Sequence, residues 1–208
     1  LYSSLHISFQ QAGYEVNIYT TDDIAGREEA ILHQLPTSRL AAVVTASCLG
    51  EQESQLYHAL PCPVVQIERE IENISSTKTF LSFPFYEIGK DFGCYILEHN
   101  WKKVAFFSAP LTLTHIRQFF QGLQDTLQDY PISVQPFSSD FNLAINKAFD
   151  IIRDTNEFDV IVTSSTLRAE AILDAMNFSF SERRPVVLSI GSRKHFPSPW
   201  LSTYELDY

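Results

Sequence analysis

The chain has 208 residues, of which 45% are hydrophobic and 19% are charged. These proportions allow one large domain or two lobes with a buried core, and they exclude a disordered chain. No apolar run is long enough to span a membrane, so we expect no membrane partner. The formal net charge of -10 argues against a nucleic-acid-binding surface on this segment, because phosphate contacts need clustered Lys and Arg.

The cysteines and histidines predict neither a metal site nor a disulfide framework. Cys48, Cys62 and Cys94 are odd in number and far apart, which is typical of free thiols in a reducing cytosol. None of the six histidines forms an i, i+4 pair of the kind that binds zinc. The sequence also lacks G-x-S-x-G, Walker and G-x-G-x-x-G motifs. We therefore expect a protein that is not an enzyme and needs no cofactor.

The chain opens on a helical pattern. Leu5, Phe9 and Ala12 lie on one helical face, and Gly13 is a typical helix end signal. Residues 1–5 have the pattern of a helix interior, without a capping residue or an initiator Met. We therefore expect the chain to begin inside a larger protein, whose upstream part is invisible here.

Strand and helix patterns then alternate along the rest of the chain. The first set comprises a strand at 16–19, a helix at 24–35 capped by Asp22 and Asp23, a strand at 41–45, a helix at 52–60 and strands at 63–67 and 80–83. The second set comprises helices at 85–99, 114–127, 141–153 and from Thr166, and strands at 104–108, 134–137, 160–162 and 186–190.

Successive βα units predict parallel sheets that helices cover on both faces. The expected fold class is α/β, with two doubly wound parallel-sheet lobes and a ligand cleft between them. Residues 1–82 are predicted to form the N-terminal lobe and residues 83–198 the C-terminal lobe.

Four small hydroxyl residues at 163–166 connect a buried strand to the start of a helix. In doubly wound sheets, ligands bind at the carboxyl ends of the strands. The hydroxyls and the free backbone amides of the helix start can bind a polar ligand there. Ser165 or Thr166 can equally cap the helix, and the two interpretations are compatible.

Seven segments follow one another in an order and spacing found in one known family. They are FQQAGY at 9–14, LAAVVT at 40–45, PVVQIER at 63–69, ILEHNWKKVAFFSAP at 96–110, GLQDTL at 122–127, VLSIG at 187–191 and LST at 201–203. In this order they resemble the effector-binding core of the lactose/galactose-repressor (LacI/GalR) family of bacterial transcription regulators. The family shares its periplasmic-binding-protein-like fold with periplasmic sugar-binding proteins.

The resemblance implies a cytoplasmic homodimer with a small-molecule effector in its cleft and an upstream helix-turn-helix domain that binds operator DNA. It also implies that the family's first strand precedes Leu1 and that residues 199–208 return as a strand into the N-terminal lobe. Arg69 matches a family arginine, and both an ion pair with Glu68 or Glu72 and a ligand contact remain open. The alternative function is a periplasmic solute-binding protein of a transporter, and a third is a dimerising scaffold without an effector.

This sequence departs from the family at positions where family members bind their ligand. Members that bind neutral sugars carry an Arg three residues before the glycine that matches Gly122; here that position is Phe119, and the nearest basic residue is Arg117. The family's Asn-Asp pair matches Ser165 and Thr166, and the Asp of its I-G-F-D segment matches Arg193. The resemblance therefore implies a cleft without the usual Arg and both Asp residues.

We hypothesise an effector that is not a plain neutral sugar. Arg193, helped by Arg117, suggests a phosphate or carboxylate group, and Phe85 and Phe119 can stack on an apolar face of the ligand. In the opposing interpretation Arg193 and Lys194 are solvated loop charges, Phe119 belongs to the core and the effector site is lost. The predicted ligand-binding residues are Ser47, Phe85, Arg117, Phe119, Ser165, Thr166 and Arg193.

Overall fold

The computed structural model describes residues 2–35, 39–49, 53–71, 78–136, 141–153, 158–179, 184–191 and 198–206. The chain begins with α1 (Tyr2–Gln11). The first lobe comprises α2 (Ala25–Gln34), β1 (Val43–Thr45), a 3-10 helix (Glu53–Ala59), β2 (Val64–Ile67) and β3 (Lys78–Leu81). The second lobe comprises α3 (Phe85–Glu98), β4 (Val104–Ser108), α4 (Thr114–Leu127), β5 (Ile132–Pro136), α5 (Phe141–Arg153), β6 (Val160–Thr163), α6 (Thr166–Phe178), β7 (Val186–Ile190) and β8 (Leu201–Tyr204).

Each lobe is built on a parallel sheet, as the alternating pattern predicts. The first sheet has the order β1-β2-β3 and the second has the order β5-β4-β6-β7-β8, and every recorded strand pair is parallel. Every residue of β4 and β6 is buried, because helices pack on both faces of the second sheet. The predicted fold class, α/β with two parallel-sheet lobes, is therefore confirmed.

Two apolar cores flank the second sheet. On one face, α3 and α4 contribute Ile88, Phe92, Phe119 and Leu123 to a single buried cluster. On the other face, α5 and α6 pack over the sheet in a second cluster that includes Ile172. None of the helices in the described ranges is long and apolar enough to cross a membrane.

The strand predicted at 16–19 is absent from the structure. These residues have no strand pairing, and Ile18 and Tyr19 are 58% and 59% exposed. β-branched and aromatic residues favour a strand only where a neighbouring strand accepts their backbone hydrogen bonds and a packed face covers their side chains. Here the alternating pattern has neither, and the prediction is wrong.

The last strand also differs from the sequence prediction. β8 pairs in parallel with β7, with Leu201 opposite Val187, so it extends the second sheet and does not return into the first lobe. The backbone N–H of Val187 donates to the carbonyl of Trp200 at 2.7 Å. Leu201 is 1% exposed and lies in the core cluster that covers α5 and α6. Burial of this side chain explains why the strand stays with the second lobe.

Candidate functional site

The candidate site lies where the two lobes face each other, and three of its four residues, Arg69, His115 and Arg168, follow the carboxyl ends of β2, β4 and β6. Asp23 and Arg69 belong to the first lobe, and His115 and Arg168 belong to the second. Each of the four side chains interacts electrostatically with the other lobe, because Asp23 and Arg69 both act on His115 and on Arg168. These residues form a charged group between the lobes, and we call it the cleft cluster.

Asp23 and Arg69 are joined by an ion pair. Nη1 of Arg69 donates to Oδ1 of Asp23 at 2.5 Å. Both residues lie at unusual turns: Asp23 has a φ of 56°, and Glu68, directly before Arg69, has a φ of 62°. Burial alone would raise the pKa of Asp23, but the hydrogen bond and charge of Arg69 hold that pKa below its ordinary value. Asp23 is therefore a carboxylate that is paired with Arg69.

Arg168 is a buried cation at the start of α6. It is the third residue of that helix and is 8% exposed. Nη1 of Arg168 donates to Oγ of Ser165 at 3.0 Å, and Nε has no hydrogen-bond partner among the described residues. Burial lowers the pKa of Arg168, and the charge of Asp23 opposes that effect. A guanidinium N–H without a partner in a buried site can donate to a ligand.

The hydroxyl groups of Thr163, Ser164 and Ser165, before α6, make different hydrogen bonds. Oγ1 of Thr163 donates to the carbonyl of Leu188 on the neighbouring strand at 3.4 Å. Oγ of Ser164 accepts from the backbone N–H of Ala109 at 3.2 Å. Ser165 occupies the N-cap position of α6, but its hydroxyl makes no capping hydrogen bond. That hydroxyl accepts a hydrogen bond from Arg168 instead, so Ser165 positions a residue of the cleft cluster and does not cap the helix with its side chain.

We predict that Ser165 and Arg168 are energetically coupled. Ser165→Ala removes the acceptor of a buried guanidinium N–H and should destabilise the protein by about 1.5 kcal/mol. The cost should vanish when Arg168 is already methionine, because no guanidinium then needs the hydroxyl. Urea unfolding of the two single variants and the double variant measures the coupling. Equal costs in both backgrounds would show that Ser165 acts as a helix cap and would contradict the assignment.

His115 is the second residue of α4, and the charges of Arg69 and Asp23 in the first lobe act on it. Its ring packs on the ring of Phe85 with the centroids 5.3 Å apart, and Nδ1 has no hydrogen-bond partner within the described ranges. Burial lowers the pKa of His115 to about 4, and the charge of Arg69 adds to that effect. The imidazole is therefore neutral near pH 7 and can both donate and accept a hydrogen bond.

We expect the stability of the fold to fall between about pH 6.5 and pH 4 because of His115. In this window the unfolded histidine takes up a proton while the folded one stays neutral, so the unfolded state binds more protons. The free energy of unfolding should fall by about 3 kcal/mol on acidification. His115→Gln should remove that part of the fall, and His33→Gln, at an exposed position of α2, should not. Urea unfolding at successive pH values measures both, and identical profiles would contradict the prediction.

The structure places several predicted ligand-binding residues in packed positions. Oγ of Ser47 donates to the buried carboxylate of Glu28 at 2.5 Å and accepts from the backbone N–H of Leu49. Phe119 is 0% exposed, and its ring packs on the rings of Phe92 and Phe106. The contacts of Ser47 and Phe119 are those of structural residues, and their role in ligand binding stays a prediction.

The other predicted residues are spread around the cleft cluster. Phe85 is 4% exposed and touches it through His115, and Ser165 touches it through Arg168. Thr166 begins α6, and a Cβ on Gly191 would lie 2.7 Å from its Oγ1, so β7 ends tightly against this helix start. Arg117 is exposed on α4. Arg193 lies outside the described residues.

The cleft cluster itself is mostly absent from the sequence prediction. Asp23 was expected to cap α2, yet Ile24 is the N-cap and Asp23 pairs with Arg69. No sequence motif indicates a functional role for His115. Arg168 gave one usable signal, because it shares a helix face with Ala171 and Ile172, which are fully buried. A charge on such a face indicates a buried polar site.

Comparisons with known proteins place this geometry in a known fold. No family model and no curated protein matches the chain. The structure of a LacI family transcriptional regulator from Silicibacter pomeroyi matches at 20% identity, over 99% of this chain and 80% of that chain, with a TM-score of 0.75. The Cra transcriptional dual regulator from Pseudomonas putida, in complex with fructose 1-phosphate, matches at 18% identity, over 92% and 73%, with a TM-score of 0.78.

A sugar-binding protein has the same fold. GanP, a glucose-galactose binding protein from Geobacillus stearothermophilus, matches at 17% identity, over 79% of this chain and 61% of that chain, with a TM-score of 0.66. At these identities the likeness shows the fold alone. The chain therefore has the two-lobed fold of LacI-type regulator cores and periplasmic binding proteins, and the resemblance predicted from the sequence is confirmed at the level of the fold.

Proposed function

We propose that the chain is the effector-binding and dimerisation core of a bacterial transcription regulator. The observation that carries the proposal is the cleft cluster: ionisable side chains from both lobes influence one another electrostatically next to the carboxyl ends of parallel strands, where ligands bind in such folds. The similar regulator structures support the same conclusion. The proposed location is the cytoplasm, and the free cysteines agree with a reducing compartment.

The proposed effector is a small, sugar-like molecule with an anionic group. Two guanidinium groups face one carboxylate in the cleft cluster, while His115 is neutral, so the cluster has an excess of positive charge. The carboxylate of Asp23 and the imidazole of His115 can bind ligand hydroxyls. The similar Cra structure contains a sugar phosphate, fructose 1-phosphate, which combines these two kinds of group.

The proposed mechanism is closure of the lobes on the effector. A ligand that contacts Asp23 and Arg69 on one side and His115 and Arg168 on the other stabilises one arrangement of the lobes relative to the other. In a homodimer that forms through this core, the change shifts the subunit interface and alters DNA binding by an upstream helix-turn-helix domain. Tight binding alone has no such effect, because only a difference in affinity between the two arrangements moves the equilibrium.

Thermal unfolding with paired ligands tests effector binding. Each pair contrasts a neutral sugar with its phosphate, such as fructose with fructose 1-phosphate and glucose with glucose 6-phosphate. At a concentration of 100 times Kd, a ligand of the folded state adds about 2.7 kcal/mol of stability and raises Tm by several degrees. We expect the phosphorylated members to raise Tm more. A response to neutral sugars only would contradict the anionic effector, and a wider set of acidic and neutral metabolites without any effect would contradict effector binding.

A second candidate function is a solute-binding protein of a transporter, which the similarity to GanP favours. The coding sequence upstream of Leu1 in the intact gene separates the two. A basic helix-turn-helix segment supports the regulator, and DNA release by the effector then becomes measurable with the full-length protein. A charged, apolar and cleavable leader would contradict the regulator and establish an exported protein.

A further inference from the structure

On the basis of the proposed function, we infer that Arg168 binds the anionic group of the ligand and that Asp23 is the internal counter-ion which this group replaces. The ligand class is a small molecule with a phosphate or a carboxylate. The inference concerns one residue from each lobe, and neither was predicted as a ligand-binding residue from the sequence.

Arg168 has the position and the free donor of an anion-binding residue. Nη1 is fixed by Ser165 at 3.0 Å, whereas Nε, on the same rigid guanidinium, has no partner among the described residues. The side chain stands at the N-terminus of α6, a helix of 13 residues, where unpaired backbone N–H groups favour negative charge. A buried guanidinium is costly to desolvate, so an available donor there indicates a partner that arrives from outside the chain.

Asp23 is an anionic group of this kind that already belongs to the chain. Its carboxylate binds Arg69 at 2.5 Å and attracts Arg168 across the cleft. The side chain is 37% exposed, and it lies on a turn in which both Asp22 and Asp23 have positive φ values, 51° and 56°. Such a turn is outside every helix and strand and can rearrange without breaking the sheet. Asp22 contacts Arg27, which keeps the turn attached to α2.

An incoming anion therefore competes with Asp23 for the two arginines. Without a ligand, Asp23 offsets part of their charge and reduces the repulsion between Arg69 and Arg168. With a phosphate or carboxylate in place, the same cations bind the ligand, and the turn at Asp23 is released. Arg168 then joins the ligand to the second lobe, while Arg69 joins it to the first, so exchange of the counter-ion is coupled to the arrangement of the lobes.

Titration calorimetry on the 208-residue chain tests the exchange, with inorganic phosphate and fructose 1-phosphate as probes and fructose as the uncharged counterpart. Asp23→Asn removes the competitor and should strengthen binding of both anions about tenfold. Arg168→Gln removes the donor and should weaken it by about tenfold or more. The control variants are Asp150→Asn and Arg153→Gln, which remove the exposed ion pair of α5 and should bind as the wild type does.

The NMR signal of the Nε–H group of Arg168 gives a second readout, in which binding is measured on the wild-type chain. In the wild-type chain this signal should shift on addition of phosphate, and Arg168→Lys should lack the signal, which assigns it. An unmoved signal, or an Asp23→Asn variant that binds phosphate no more tightly, would overturn the inference. If fructose still binds in that case, the proposed effector function stands and only the anion site is wrong. If the chain binds no anion and no sugar, both fail.

Discussion

Gly122→Ala is expected to destabilise the second lobe by more than about 3 kcal/mol. A Cβ at this position would lie 1.9 Å from the backbone oxygen of Tyr86, and a Cβ at Gly89 would lie 2.1 Å from the backbone oxygen of Phe119. α3 and α4 therefore touch backbone to backbone at two glycines. The obstructing atoms belong to helix backbones, so the added methyl group can be accommodated only if the helices move apart.

The matched control is Gly26→Ala on α2, where an added Cβ meets nothing within 4 Å. This helical glycine should gain about 0.5–1 kcal/mol on replacement, because alanine loses less backbone entropy on folding. Urea unfolding followed by circular dichroism measures both variants. Opposite signs at Gly122 and Gly26 are expected, and a Gly122→Ala variant as stable as the wild type would contradict the close contact between the helices. Separation of α3 from α4 should also weaken the proposed ligand binding, because α4 carries His115.

Glu28→Ala is expected to destabilise the first lobe by about 3–5 kcal/mol. Glu28 is 4% exposed, and its carboxylate accepts four hydrogen bonds. Ser47 and Tyr57 donate their hydroxyls to Oε1 at 2.5 Å each, and Cys48 donates its backbone N–H at 2.8 Å and its thiol at 3.0 Å to Oε2. Removal of the carboxylate takes the acceptor from all of these donors, of which the Tyr57 hydroxyl has a second partner, Oγ1 of Thr45.

The Glu28 network also sets the chemistry of its neighbours. Burial raises the pKa of Cys48 to about 12, with Glu28 adding to the effect, and the same two causes raise the pKa of Tyr57. The control is Glu29→Ala, at the next position of α2, which should change the free energy of unfolding by less than about 0.5 kcal/mol. Equal losses for the two variants would contradict the structural role of Glu28. A large loss for Glu28→Ala alone would confirm that the first lobe is built around a buried carboxylate.

The fold was largely predictable from the sequence because buried parallel strands are apolar along their whole length. β4 and β6 lie where such runs occur, and a helix is the next element after each of them. The segment at 16–19 has a strand-like pattern but pairs with no strand. β8 pairs with β7, and the sequence of β8 does not indicate which strand will be its partner. Both wrong predictions concern the strand with which a segment pairs, and the local sequence pattern does not determine that partner.

The candidate site was less predictable because its residues come from both lobes. The hydroxyl turn before α6 was correctly placed at a strand end, and Ser165 does occupy the N-cap position. Its partner was missed, because the burial of Arg168 depends on how the lobes face each other. The position of Asp23 before α2 predicts a helix cap, whereas in the structure Asp23 forms a salt bridge to Arg69, 46 residues further along the chain.

A crystal structure of the chain with the ligand that gives the largest thermal shift tests the central claim most directly. The account predicts a ligand between the lobes, with an anionic group about 3 Å from Nε of Arg168 and with the Asp23–Arg69 ion pair broken. A ligand bound on another surface, or a ligand in the cleft with that ion pair intact and Arg168 untouched, would contradict it.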